Sequence, residues 1–209
     1  MAVALWAGRL DRPLTEQETA VLMRLLPGER RERLARVRQA EKRAEPLCAY
    51  LLLRLALWEQ YRWRKLPPIL QTEMGKPWFP DYPSVQFNLS HTAGAVLVAV
   101  SGEPVGVDIE KIRPVHRRMG GDWTDEAGET AFFQSWVRRE ARSKLSGKGI
   151  GAMLRAEPPV EEGERFYALE SFPGYAAGVA TCAASPPGAL RRYTLEELLK
   201  EDVLLTFMP

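Results

Sequence analysis

The sequence predicts a mixed α/β chain, on three observations. Two segments, Leu47 to Trp63 and Phe132 to Lys144, carry helical periodicity or helix-like length and composition. Between them an apolar strand precedes Val105-Gly-Val-Asp-Ile-Glu110, in which apolar and polar residues alternate as on a half-buried strand. Later, Arg165 to Phe172 and Tyr175 to Ala184 flank Pro173-Gly174 in a hairpin pattern. With 45% hydrophobic and 27% charged residues over 209 positions, the chain is globular and long enough for one large domain or two small ones.

In chain order, Val3 to Trp6 reads as a first strand, broken by Gly8 and Pro13. Thr15-Glu-Gln-Glu18 is a capping box that opens a helix to about Leu26, where Pro27-Gly28 stops it. Glu29 to Val37 starts a basic amphipathic helix. Pro46 suits the first turn of the Leu-rich helix that follows, whose Leu51, Leu55 and Trp58 are expected in the core. A short strand is expected near Ile69 to Thr72, and Pro77, Pro80 and Pro83 make Gly75 to Ser84 a stiff loop. A strand ending in Asn88-Leu-Ser-His91, the apolar strand and the strand with Asp108 and Glu110 come next. After Pro114 an irregular stretch leads into a helix from about Asp125 to Leu145, terminated by Gly147-Lys-Gly149. Thr194 N-caps a short helix to Lys200, and Val203 to Phe207 closes the chain as a strand or a tail. No internal sequence repeat is visible.

Charge and cysteine content exclude several classes. A net charge of +2 does not by itself argue for nucleic acid, although Arg30, Arg31, Arg33, Arg36, Arg38, Lys42 and Arg43 cluster in one stretch. Such a run suits a phosphate-rich or acidic partner, or is a solvated helix face. Cys48 and Cys182 are too few for a disulfide framework or a Cys-based zinc site. No run approaches the ~20 apolar residues of a membrane span. The first residues lack the charged and apolar regions of a signal peptide, so the cytoplasm is the expected compartment.

Two motifs carry chemistry. On one strand Asp108 and Glu110 share a face, while Val105, Val107 and Ile109 point into the core. Paired carboxylates of this kind form either a hard-cation site, suited to magnesium with a phosphate ligand, or an ordinary exposed strand face. On the later helix Trp136, Glu140 and Lys144 fall at i, i+4 and i+8, which offers a third carboxylate with a cation, or a routine ion pair. The order of the pieces is more specific than any one alone: GKPWFP, NLSH, GVDIE, WVRREARSK, GKG.

On these motifs the chain resembles the 4′-phosphopantetheinyl transferases, of the monomeric type that activates peptide and polyketide synthetases. The resemblance runs from LDRPLTEQE near the start to LEELL near the end. It implies two similar α/β halves, 1–104 and 105–209, related by a pseudo-twofold with the active site in the cleft between them. It also implies magnesium-dependent transfer of phosphopantetheine from coenzyme A to a serine of an acidic acyl or peptidyl carrier protein, releasing adenosine 3′,5′-bisphosphate. Magnesium would sit on Asp108, Glu110 and Glu140, with Lys144 and His91 on the same phosphate oxygens, and Ser90 ends its strand beside them. Glu140 or a metal-bound water is the candidate base. Lys76 would hold the nucleotide, and Arg30 and Arg33 would grip the ribose phosphate.

The chain departs from the family pattern at two places. The segment between Pro114 and Phe132 is short, and an expected arginine nine residues before Arg54 is Glu45. Arg43 is the nearest cation to replace it. Two other readings compete: a non-catalytic binder of RNA or acidic protein using the arginine run, and a magnesium-dependent phosphohydrolase with water as nucleophile.

Overall fold

Side chains alternate across each long strand of the computed structural model, which describes residues 2–115, 126–148 and 160–207. β1 (Ala4–Arg9) sends Leu5 and Ala7 to one side and Trp6 to the other. β5 (Ala95–Ser101) divides Val96, Val98 and Val100 from Leu97 and Ala99 in the same way. Period-two alternation of apolar residues leaves this sheet two faces to bury, and both are covered.

The first sheet runs β4–β5–β1–β9, with β4 at Gln86–Thr92 and β9 at Leu190–Thr194. β9 lies parallel to β1, and the other pairs are antiparallel. A second, antiparallel sheet runs β6–β8–β7, from β6 (Val105–Lys111), β7 (Arg165–Leu169) and β8 (Tyr175–Thr181). Between the sheets Leu5, Ala7 and Leu97 meet Val105, Val107, Ile109 and Val179. The outer face of the first sheet is covered by α1 (Glu16–Arg24) and α3 (Ala44–Tyr61). On the outer face of the second lies α4 (Glu126–Ser146), through Val137, Ala141 and Leu145. The layers are helix, sheet, sheet, helix.

One topology is used twice. In β1–α3–β4–β5 the first strand lies beside the last, and β6–α4–β7–β8 has the same order. The expected α/β architecture is present, although no sequence repeat announces it. The chain then returns to the first sheet: β9 joins β1, and α5 (Leu195–Leu198) packs against α3. Glu59 of α3 locks this return. Its carboxylate accepts from Trp6 Nε1 (2.9 Å), Arg191 (2.8 Å) and the Tyr193 hydroxyl (2.8 Å).

Local signals place most elements. Both capping boxes form, at Thr15 and at Thr194. The basic stretch gives α2 (Gly28–Ala35), and a one-turn 3-10 helix, Ala40–Arg43, leads into α3, whose first turn holds Pro46. At the end of α4, Gly147 takes φ +69° and its N–H reaches Ser143 O, as a helix stop requires. Gly149, Asp125 and the rest of segment 116–125 lie outside the described residues.

Three details differ from the sequence reading. Within the stiff loop, β3 (Pro77–Trp78) pairs with β2 (Leu70–Gln71). β9 carries no strand signal of its own, because Leu-Arg-Arg-Tyr-Thr has little apolar content and pairs with β1. The last segment is a helix, α6 (Glu201–Phe207), rather than a strand or tail. Acidic Glu201 and Asp202 suit a helix N-terminus, and buried Phe207 anchors its end. No helix among the described residues is long and apolar enough to cross a membrane.

Candidate active site

The site begins with the glycine of β6. Gly106, Asp108 and Glu110 share the face turned away from the core between the sheets. A Cβ on Gly106 would lie 2.1 Å from Ala141 O and 2.3 Å from Leu145 N, so α4 rests directly on the strand backbone. This contact brings Lys144 onto Asp108, Nζ to Oδ1 at 2.7 Å. Ser90 Oγ donates to the same oxygen at 2.7 Å, and Lys144 donates to Ser90 at 3.0 Å. Asp108 is buried, and its Oδ2 has no hydrogen-bond partner among the described residues.

Glu110 is half-buried. Its Oε2 accepts from Thr92 Oγ1 at 3.1 Å and from Arg113 at 3.3 Å. Glu140 lies one turn before Lys144. Burial raises its pKa; Lys144 opposes the rise, and Asp108 and Glu110 add to it. Asp108, Glu110 and Lys144 therefore all act electrostatically on Glu140. Among the described residues no group of three or more His, Cys, Asp or Glu side chains converges into a metal cage. Magnesium seldom uses such a cage; one or two carboxylates plus substrate phosphate and water suffice. An all-oxygen donor set with one buried oxygen left open fits that ion.

A cavity of about 490 Å³ adjoins the carboxylates. It takes in Arg30 and Arg33 from α2, Lys76 from the proline-rich loop, His91 from β4, and Glu140 and Lys144 from α4. Arg30 is buried, and its Nε has no hydrogen-bond partner among the described residues. Lys76 Nζ donates to Leu145 O at 2.7 Å, which ties the loop to the end of α4, and burial lowers its pKa. His91 keeps access to solvent, yet partial desolvation against the cavity wall lowers its pKa as well. Lys76 and His91 are thus easier to deprotonate than usual, because burial disfavours their charged forms.

Arg43 and Glu45 are not brought into this cavity. The Arg43 Nε donates to Val37 O (2.9 Å) and Nη2 to Ala35 O (3.3 Å), so the guanidinium sits on the C-terminal carbonyls of α2. Glu45 accepts from the Gly94 N–H at 3.1 Å. Both line a separate cavity. Ser90 adjoins the site, but its hydroxyl turns to Asp108.

The structure also adds residues. Thr92 holds Glu110, Asn88 Oδ1 accepts from Val107 N at 3.0 Å, and Tyr50 lines the cavity beside Arg30 and Arg33. Asn88, Ser90 and Thr92 stand two apart on one strand face, so the rule that pairs Asp108 with Glu110 also points to them. Tyr50 lies four residues after Pro46, on the same side of α3.

No protein-family model matches the chain. Individual proteins do. The 4′-phosphopantetheinyl transferase ffp of Bacillus subtilis is 32% identical over 158 residues, 69% of this chain and 70% of that protein. The 4′-phosphopantetheinyl transferase Sfp of Bacillus subtilis strain 168 is 29% identical in a match that covers 91% of this chain and 97% of that protein. The 4′-phosphopantetheinyl transferase psf-1 of Bacillus pumilus is 37% identical over 117 residues, half of each chain.

Proposed function

The chain belongs to the 4′-phosphopantetheinyl transferase family, and we propose that it performs the family's transfer from coenzyme A to a carrier protein as a magnesium-dependent reaction at the β6–α4 site. The observation that carries this reading is the buried, unpartnered Oδ2 of Asp108 beside a cationic cavity. A carboxylate oxygen without a partner in a buried site is costly unless a ligand satisfies it.

Asp108, Glu110 and Glu140 would hold the ion. Bound there, magnesium would neutralise charge on the pyrophosphate and on the leaving group. The chain's own residues do the rest. Arg30, Arg33, Lys76 and His91 bind and orient the phosphates of coenzyme A, and Lys144 adds positive charge where charge develops. Glu140, or a water held by the ion, would receive the proton of the attacking carrier serine. The products are the pantetheinylated serine and adenosine 3′,5′-bisphosphate.

The halves of this proposal are 1–104, with the nucleotide contacts, and 105–209, with the carboxylates and α4. The repeated strand order supports them. The partner is an acidic acyl or peptidyl carrier protein, drawn by the exposed arginines around α2. The enzyme acts as a monomer in the cytoplasm, with neither nucleic acid nor membrane as partner. Arg43 serves as the third cation for the ribose phosphate once it leaves the α2 carbonyls.

Incubation with coenzyme A, magnesium and an unmodified carrier, read by intact mass, tests the reaction. Asp108→Ala should abolish the mass shift while the fold survives, and full activity in excess chelator would exclude the metal role. Arg43→Ala should weaken coenzyme A binding about tenfold or more and spare dephospho-coenzyme A. Equal losses for both would assign Arg43 to holding α2 alone.

A further inference from the structure

β4 and β6 edge different sheets, yet they meet along a seam of matched side chains. Asn88, Ser90 and Thr92 stand two apart on one face of β4. Asn88 Oδ1 accepts from Val107 N at 3.0 Å, Ser90 Oγ donates to Asp108 Oδ1 at 2.7 Å, and Thr92 Oγ1 donates to Glu110 Oε2 at 3.1 Å. The two hydroxyls and the two carboxylates are in register. Each hydroxyl takes one oxygen of its carboxylate. Among the described residues the second oxygen of each, Asp108 Oδ2 and Glu110 Oε1, carries no hydrogen bond.

We infer that Thr92, together with Ser90, is a positioning residue that sets the β6 carboxylates for a divalent cation. The inference rests on the proposed reading of Asp108 and Glu110 as metal ligands. A glutamate side chain has several rotamers to lose when it binds an ion. A hydroxyl that already fixes Oε2 removes part of that cost and leaves Oε1 for the cation, the role usual for partners of metal-ligating carboxylates. Arg113 also reaches Oε2, but its side chain is 58% exposed and so holds less firmly. Ser90 also accepts from Lys144, which makes Thr92 the cleaner residue to test.

The experiment measures Mn²⁺ binding to the full chain by paramagnetic resonance, and coenzyme A binding in chelator by calorimetry. Thr92→Val should weaken Mn²⁺ about tenfold or more, Thr92→Ser should restore most of it, and coenzyme A affinity in chelator should not change. Wild-type Mn²⁺ affinity in Thr92→Val, with loss in Glu110→Gln, overturns the positioning role alone. Undiminished Mn²⁺ affinity in Glu110→Gln overturns the carboxylate reading beneath it. Equal weakening in Thr92→Val and Thr92→Ser, or a parallel loss of coenzyme A affinity, makes Thr92 a structural residue only and also overturns the inference.

Discussion

The helices α3 and α4 hold equivalent places in the repeated strand order, yet they are buried differently. α3 is covered on nearly all sides: Leu47, Cys48, Leu51, Leu52, Leu53, Leu55 and Leu57 are each 8% exposed or less. α4 is covered on one side. Phe133, Val137, Ala141 and Leu145 are buried, while Trp136, Glu140 and Lys144 keep surface open. The approach to the sheet differs too. Above β1 a Cβ on Gly8 would meet mainly side chains, Val96 Cγ2 at 2.9 Å and Leu198 Cδ1 at 3.0 Å. Above β6 a Cβ on Gly106 would meet backbone. Many interchangeable apolar contacts hold the scaffold helix, and a close backbone contact holds the helix that carries charge. The second arrangement is less tolerant, because a shift of about 1 Å in a catalytic group can cost a hundredfold in rate.

The largest expected effect concerns the rear of α4. Arg142 and Glu164 form a buried ion pair, their side chains 2% and 8% exposed. Glu164→Ala should cost about 3–5 kcal/mol in urea unfolding, against under about 1 kcal/mol for breaking the exposed Arg12–Glu18 pair beside α1. Similar small losses for both would mean that α4 is not anchored from behind.

Next in size is the glycine comparison. Gly106→Ala should destabilise by about 3 kcal/mol and take most of the activity with it, since α4 must lift and carry Lys144 off Asp108. Gly8→Ala should cost about 1 kcal/mol, because Val96 and Leu198 can turn aside. Equal unfolding midpoints for the two variants would erase the distinction between backbone and side-chain contact.

Lys144→Ala separates chemistry from packing on the half-open helix. Its turnover should fall about tenfold or more, equivalent to about 1.4 kcal/mol, while coenzyme A affinity changes little. Unchanged turnover with weaker binding would reassign Lys144 to ground-state anchoring.

The smallest effect lies in the first half. The Arg12 hydrogen bond, aided by Thr15, holds Glu18 at a pKa of about 2, against an ordinary 4.5. A depressed carboxylate stabilises the fold fully above its unfolded pKa and loses that contribution as pH falls through the folded value. Stability should therefore drop between about pH 4.5 and 2, by no more than about 1 kcal/mol because the pair is solvent-screened. Glu18→Gln, which keeps the capping box, should flatten that part of the urea-midpoint curve. An unaltered slope would give the acid sensitivity to other groups.

Local chemistry was enough to read much of this from the sequence. A capping box needs only an N-cap hydroxyl and a carboxylate three residues on, so Thr15 and Thr194 announce α1 and α5 without reference to the rest of the chain. The pleat alone puts Asp108 and Glu110 on one face, and the helical repeat alone puts Glu140 one turn from Lys144. Periodicity says which residues share a face, not what that face meets. Only the tertiary structure aligned Thr92 with Glu110 and turned the Ser90 hydroxyl to Asp108, because the β4–β6 register is set by packing between two sheets. Only the tertiary structure placed Arg43 on the α2 carbonyls, made β9 a strand against β1, and wound the final segment as a helix under Arg54, whose guanidinium donates to Phe207 O at 3.0 Å. Those outcomes depend on contacts made beyond the reach of a helical or strand repeat, which periodicity alone does not contain.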